Sequence, residues 1–511
     1  MAAESTPSRE ESPPLAALDL GSNSFHLIVA REVGGSLQVI DRHRERVALG
    51  AGLDDKRTLS QEAQDRAIAS LQRFAQRIWD IPAERIRVVA TNTLRIAKNR
   101  KGFMSKAQDA LGVPIEIISG QEEARLTWIG VHTDLPMIKG RRLLVDIGGG
   151  STECVIGESD GILGSDSLQL GCVSMSALVF GDGKLNANRF KTAKRLAMAE
   201  LQTIAAQYRK LGWAEAYGSS GTINAIAKHI LRNEPFGSTF SAAQLRGLEQ
   251  ELIALGHVDA LVEAGIREDR ARVIPGGIAV LRGVFEALKI DKMTASSNAL
   301  REGLLADLVG RIHHRDVRER SIRGLMWRFH VDVSQAARVE EAAKKLFRTV
   351  PKGVFVDSEA KEHLLTWAAR VHEIGLSLSY SGYHKHSAYL VEHSEMDGFS
   401  QVDQRHLAYL CLCHRRRLRD ANDTSYVDLS ELEVERLRPL ALVLRLAVLF
   451  MRSRRDVDLE GVAICELSSS AATLKLPEGW LETHPLTALD IEAEIRALSQ
   501  DRFELRIQSD N

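Results

Sequence analysis

The 511-residue chain has only five cysteines, at Cys154, Cys172, Cys411, Cys413 and Cys465, an odd number with no C-x-x-C spacing. A disulfide framework is therefore not expected, and a reducing, cytoplasmic compartment is the natural reading. Long hydrophobic runs are missing too. The most apolar stretch, 440–451, is short and interrupted by Arg445, whereas a spanning helix needs about 20 apolar residues. No transmembrane segment is expected, although a peripheral contact at the inner face of a membrane would need none. Residues 1–14 are polar, partly acidic and hold two adjacent prolines. They lack the regions of a signal peptide and read as a disordered tail. Neither charge sign is in excess: 67 Lys+Arg stand against 68 Asp+Glu, a net charge of -1. No global field favours a nucleic acid or an anionic membrane, so an anionic ligand must be held by a local constellation. The common nucleotide signatures are absent as well: there is no G-x-x-x-x-G-K-[ST], and no G-x-G-x-x-G opens a helix.

What is present is length, enough for several domains. Over 15–312, strand-like runs such as 15–20, 87–90, 115–118, 143–147 and 214–217 alternate with helical patterns such as 61–78 and 191–211. That alternation predicts an α/β fold. From about 316 to 452 the pattern is amphipathic helix, and after 452 short strands flank an acidic helix near 490–498. The expected order is a tail (1–14), two α/β domains (15–130 and 131–312), a helical domain (313–453) and a small α+β domain (454–511).

An internal repeat is the most informative feature. Asp19-Leu-Gly-Ser-Asn-Ser24 and Asp146-Ile-Gly-Gly-Gly-Ser151 share D-[LI]-G-x-x-S, each preceded by an apolar strand and followed by three residues and an apolar run. In each copy the small residues let backbone N–H groups face one point, and two facing nests would clamp a phosphate. One copy alone would read equally well as an ordinary hairpin turn; two copies in a doubled α/β chain favour phosphate handling.

With their neighbours, these segments resemble the exopolyphosphatase / guanosine pentaphosphate phosphatase family. The resemblance rests on Leu18-Asp-Leu-Gly-Ser-Asn-Ser-Phe-His26, Ala90-Thr-Asn-Thr-Leu-Arg95, Ile117-Ile-Ser-Gly-Gln-Glu-Glu-Ala-Arg125, Val145-Asp-Ile-Gly-Gly-Gly-Ser-Thr-Glu153, Gly218-Ser-Ser-Gly-Thr222 and Ala299-Leu-Arg-Glu-Gly303. It continues through Trp367-Ala-Ala-Arg-Val-His-Glu-Ile-Gly375 and looks closest to the long, multidomain exopolyphosphatases. It implies two actin-like (ribonuclease H-like) domains with a cleft between them, an all-α domain related to HD phosphohydrolases, a small α+β C-terminal domain, and a homodimer. Its implied activity is removal of the terminal phosphate of inorganic polyphosphate by water, with guanosine pentaphosphate as the rival substrate. A sugar kinase of the same superfamily and a non-enzymatic polyphosphate or alarmone sensor are the competing classes.

The resemblance places the water-activating base on Glu123, with Glu122 the weaker member of the pair; a plain acidic first turn capped by Ser119 is the bland alternative. Asp19, Asp146 and Glu153 would be repelled by a phosphate unless a cation intervened, so Mg²⁺ is expected there, with room for a monovalent cation such as K⁺. Ser22, Asn23, Ser24, Gly148, Gly149 and Ser151 are the expected phosphate donors, with Arg95 as a charge partner. In the helical part, His372-Glu373 stands where HD enzymes show His-Asp, which argues for structural histidines there, His384, His386 and His393 included. The basic runs at 313–315 and 415–419 would either line a polyanion channel or form solvated faces. Finally, Asn298 stands where the family often has Asp-Gly, raising the question of an altered turn at the cleft.

Overall fold

The computed structural model describes residues 13–33, 36–133, 135, 140–158, 161–232, 238–263, 266–312, 316–420 and 427–509. Residues 1–12 of the expected tail and the basic run 313–315 lie outside the described residues. The chain divides into two compact units, Met1–Asp316 and Val317–Asn511.

The repeat seen in the sequence is a repeat of topology. In the first sheet β1 (Leu15–Leu20), β2 (Ser24–Val33) and β3 (Ser36–Arg46) run antiparallel, while β4 (Ile86–Ala90) and β5 (Glu116–Ile117) join parallel to β1, giving the order β3-β2-β1-β4-β5. The second sheet repeats this order with β6 (Arg142–Ile147), β7 (Thr152–Glu158), β8 (Gly161–Leu168), β9 (Glu215–Ser219) and β11 (Lys292–Ala295). The added edge strand β10 (Thr239–Ser241) gives β10-β11-β9-β6-β7-β8. The parallel joins need helical crossovers. The helices Gln61–Ile78 and Ala187–Leu211 supply them, each N-capped by a polar residue, Ser60 and Asn186, whose side chain accepts from the third backbone N–H. Two actin-like α/β domains result. The strands β1 and β6 are buried along nearly their whole length, as central strands covered on both faces should be.

The helix Leu300–Ile312 departs from the expected domain limits. Its sequence position assigns it to the second domain, yet Leu300, Leu304, Leu305 and Leu308 pack with Leu15, Ala17, Ile28 and Val89 of the first sheet and with Leu126. It crosses the helix Gly120–His132 at two glycines. A Cβ on Gly303 would stand 1.8 Å from the Leu126 carbonyl oxygen, and one on Gly130 would stand 2.1 Å from that of Ala299. No neighbouring side chain can yield there, because the obstacles are backbone.

Around that crossing lies a buried ion network. Arg125 donates to both oxygens of Glu122, at 2.7 and 2.8 Å, and to Asp307 at 2.6 Å. Arg87 reaches the other Asp307 oxygen at 2.6 Å and Glu116 at 3.1 Å. Three positive partners, counting Arg311 with the two already named, hold the Asp307 carboxyl well below the usual range against the opposing cost of burial.

In the second unit the helices Val317–Arg328, Val333–Thr349, Ser358–Val371, Tyr383–His393, Gln401–Cys413 and Glu431–Phe450 are followed by β12 (Ala463–Leu467), β13 (Ala471–Leu476) and β14 (Glu504–Ser509). The last two strands pair in parallel across the helix Pro485–Gln500. The terminal α+β piece, expected as a separate domain, shares one apolar core with the helices, since Leu440, Leu444, Ile464, Leu474, Leu498 and Phe503 belong to a single cluster. Among the described residues no helix is long and apolar enough to cross a membrane.

Replacing Gly303 by Ala should destabilise the N-terminal unit by about 1–3 kcal/mol, the usual cost of overpacking. Gly102→Ala, whose Cβ meets nothing within 4 Å in the helix Arg100–Leu111, should be neutral or gain up to about 1 kcal/mol. Chemical denaturation of the two variants measures both, and equal stabilities would contradict the close-crossing account.

Candidate active site

Both repeated turns open on one cleft in the N-terminal unit, of about 860 Å³, lined among others by Asp19, Ser22, Asn23, Ser24, Glu123, Asp146, Gly148, Gly149 and Ser151. They face each other closely. A Cβ on Gly149 would stand 2.8 Å from Ser22 Cβ, and one on Gly150 would stand 2.5 Å from Asn92 Oδ1. The glycines of the second turn are therefore required by close approach rather than by backbone angle.

Carbonyl oxygens are tied away from the cleft in both turns. In the first, Asn23 accepts from Val47 and Ala48, and Ser22 accepts from Gly50. In the second, Gly148 and Gly149 accept from Cys172, Val173 and Ser174 at the start of the helix Cys172–Phe180. Ser22 Oγ accepts from Thr93 at 2.7 Å and Ser24 Oγ from Arg44 at 3.0 Å, which leaves each hydroxyl hydrogen for a ligand. The edge offered to the cleft is rich in donors, as an oxyanion requires.

The Glu-Glu pair is resolved by direction. Glu122, 1% exposed, turns into the ion network and is spent on Arg125. Glu123, one residue on and about 100° further round the helix, lines the cleft. Ser119 caps the helix by accepting from Glu122 N–H at 3.1 Å, so the capping reading holds, and it does not take up Glu123, which lines the cleft. Gly120 is required beside it, since a Cβ there would lie 2.4 Å from Ser167.

Arg95 is not among the residues lining the cleft. It stands behind Glu123, with Nη1 donating to Glu123 Oε2 at 3.3 Å and to the Ile118 carbonyl at 3.0 Å. It thus holds the carboxylate rather than facing the phosphate position. Glu153 also sits off the cleft: paired with Asp146 across β6 and β7, it accepts from Ser167 at 2.8 Å.

Electrostatically the site is split. Burial pushes the Asp19 carboxyl up to about 8, with Glu123 adding to the rise and Arg301 opposing it. Burial likewise raises Glu123 to about 7 against the opposing charge of Arg95, and Asp146 to about 6 against a hydrogen bond from Ser219. Glu153 is raised too, by burial first and then by Glu123 and Asp146. Facing these acids are Arg44, Arg270 and Arg301, none of which the sequence singled out as a site residue. Their motif membership was visible only for Arg301; Arg44 on β3 and Arg270 on a short helix arrive from distant sequence. Arg301 is held by Glu302 at 3.0 Å and contacts His26 Nδ1 at 3.1 Å. Burial, then Arg301, Arg44 and Arg270, depress His26 to about 3, so it stays neutral. Ser220, Gly221 and Thr222 complete the wall, and Ser220 carries a strained φ of 95°.

For a cation, the fit is partial. Asp19 Oδ1 is buried with no hydrogen-bond partner, and Asp146 lies at the matching position of the other turn. Among the described residues, however, no group of three or more His, Cys, Asp or Glu is placed to hold a metal. Any ion here would take two carboxylates and complete its shell from phosphate oxygens and water, the habit of Mg²⁺. The turn at Asn298 shows no need of glycine: no residue from 295 to 300 has a positive φ, and Ser296 Oγ accepts from Asn298 N–H at 3.2 Å.

A model of the Ppx/GppA phosphatase family matches residues 28–312, and one of Ppx/GppA phosphatase domain III matches 317–495. The chain belongs to the Ppx/GppA phosphatase family. Among solved structures it is similar to an exopolyphosphatase from Cytophaga hutchinsonii, at 24% identity and a TM-score of 0.54, covering 58% of this chain and 98% of that one. An exopolyphosphatase-like protein matches at 26% identity and 0.52, covering 58% and 99%. The Aquifex aeolicus Ppx/GppA family member matches at 24% and 0.50, covering 58% and 98%. For this Ppx/GppA chain the two turns, Glu123 and the opposed arginines form the candidate active site of a phosphatase.

The raised acids make the metal-free protein pH-sensitive in a defined direction. Folded values of about 6 to 8 lie above unfolded values near 4. The stability these groups contribute is complete below about pH 4 and is lost as pH rises through 6 to 8. Asp19→Asn should therefore stabilise the metal-free protein by on the order of 2 kcal/mol at pH 8 and by little at pH 4.5. Thermal melts at the two values measure this, and a gain confined to low pH would refute it.

Proposed function

We propose that this phosphatase is an exopolyphosphatase, releasing orthophosphate from the end of inorganic polyphosphate. The observation that carries the reading is Glu123: a buried carboxyl near 7, held by Arg95, facing two donor-rich turns that close on each other. A base poised near the working pH takes a proton from water most effectively. In the step itself, water oxygen bonds to the terminal phosphorus, its proton passes to Glu123, and the anhydride P–O bond breaks, leaving the shortened chain as a phosphate anion. The N–H groups at 22–24 and 149–151 and the hydroxyls of Ser22 and Ser24 would hold the transferring phosphoryl group, whereas Gly148 N–H, expected among the donors, is taken by the Ser151 carbonyl at 2.9 Å. Arg44, Arg270 and Arg301 would take the charge on the following phosphates, since phosphoryl transfer is mostly positioning and charge stabilisation. Asp19 and Asp146 are the residues that would hold Mg²⁺, whose chemistry there is neutralisation of phosphoryl oxygen charge. The resemblance of the sequence motifs to the long exopolyphosphatases favours the polymer over guanosine pentaphosphate, whose terminal phosphoryl group is the same chemical target.

Orthophosphate release with Mg²⁺ from long-chain polyphosphate, and separately from guanosine pentaphosphate, tests the reading; release from the nucleotide alone would overturn it. Glu123→Gln should lower turnover by roughly 10²–10⁴-fold with polyphosphate binding retained, and its activity loss should not be accompanied by a lower melting temperature. Undiminished turnover would remove Glu123 from its role.

A further inference from the structure

The C-terminal unit contains a solvent-open cavity of about 1430 Å³, walled by the helices Glu431–Phe450 and Pro485–Gln500 and by the chain at 373–383 and 414–416. Its charge is unbalanced. Five guanidiniums, of Arg415, Arg416, Arg445, Arg452 and Arg454, face three carboxylates. Each carboxylate is already engaged by one arginine: Glu373 accepts from Arg454 at 2.9 and 3.0 Å, Glu494 accepts from Arg445 at 2.6 Å, and Asp490 pairs with Arg452. Arg415 and Arg416 remain without a carboxylate in the cavity.

The surplus is held in place at a conformational cost. Arg416 and Arg454 adopt left-handed backbone, at φ 64° and 54°, a region unfavourable for residues other than glycine. At Arg416 the strain is enforced from behind: buried Arg445 donates to the carbonyls of Cys413 and Arg416, each at 2.7 Å. Strain of this kind persists where the surroundings over-determine it, typically at binding sites. The basic run 415–419 is thereby broken up rather than forming a track. Arg415 lies over the Tyr383 ring at 4.7 Å, Arg416 stands exposed at the cavity, and Arg417 turns away to Asp501.

Aromatic surface completes the wall. Tyr383 is buried under Arg415, and Tyr380, 76% exposed, lines the cavity with its ring tilted against that of Tyr383 at 6.2 Å. His414, kept neutral by burial, contacts the Tyr383 hydroxyl at 3.3 Å. A bare phosphate needs only the cations; an exposed ring beside them fits a ligand that is planar at one end.

We propose that this cavity is a second ligand site that binds a nucleotide, with its phosphates on Arg415 and Arg416 and its base against Tyr380. The site is separate from the phosphatase cleft and does not depend on the substrate assigned to that cleft. Hydrogen–deuterium exchange on the full chain, with ADP or GDP and in parallel with pyrophosphate, locates the ligand, and calorimetry gives its affinity. The expected result is protection of 374–384 and 413–418 by the nucleotides, with Arg416→Ala and Tyr380→Ala each weakening that binding by on the order of tenfold. Both changes are at exposed side chains, and circular dichroism confirms that each variant folds. Absence of nucleotide protection in the C-terminal unit would overturn the proposal. So would equal protection by pyrophosphate with Tyr380→Ala unchanged, which would make the cavity a site for bare phosphates.

Discussion

Everything at the phosphatase cleft depends on the buried ion network of Glu122, Arg125, Asp307, Arg87 and Glu116. Burying an ion pair costs desolvation that attraction offsets only when geometry is good and every partner is satisfied. Here Arg125 grips Glu122 with two bonds and Asp307 with a third, and Asp307 has both oxygens engaged. Removing Arg125 would leave the buried Glu122 carboxylate without its two-bond partner, a loss typically worth about 3–5 kcal/mol. The gain is specificity of placement. The network locks the rotation of the helix Gly120–His132 about its axis, and the glycine crossing with Leu300–Ile312 locks its depth. Between them they decide where Glu123 points.

That placement explains why two adjacent, chemically identical residues do different things. Glu122 meets guanidiniums and serves as a structural anchor. Glu123 meets a desolvated cleft, other carboxylates and one weakly bonded arginine, and its proton affinity rises. The same burial that raises Glu123 makes the cluster of Asp19, Asp146 and Glu153 costly to ionise. The opposed arginines relieve that cost only in part: Arg301, fixed by Glu302 and by a histidine kept neutral by its surroundings, lowers Asp19 against the larger rise that burial imposes.

Much of this was legible in the sequence, and the limits follow from physics. The duplicated turn was readable because small residues and aspartate at a strand end carry a local signal, and the order of strands repeats with it. Ser119 was readable as a cap for the same reason. Arg44 and Arg270 were not, because a lone arginine in β3 or in a four-residue helix has no local pattern that separates it from solvated charge. Arg95 was assigned to the phosphate because charge type is visible in sequence while direction is not; its short helix aims it at Glu123 from behind. The migration of Leu300–Ile312 to the first sheet was hidden for a further reason. Its apolar stripe says that it packs, and only the glycines at 130 and 303 say against what, a relation between two positions far apart in the chain.

The asymmetry between the two copies of the turn has a physical cause of its own. The first keeps Ser-Asn-Ser, side chains whose hydroxyls are set by Thr93 and Arg44. The second, Gly-Gly-Gly-Ser, is stripped almost bare because the first presses on it: Ser22 fills the space a side chain at 149 would need, and Asn92 fills that at 150. Side chains on both turns would collide at this contact and hold the turns apart. The pair closes because only one of the two turns carries side chains at the contact. A neutral chain with no basic field can still present an edge suited to an anion, because backbone N–H groups and three arginines lining one cleft act at short range, where summed charge over the whole molecule counts for little.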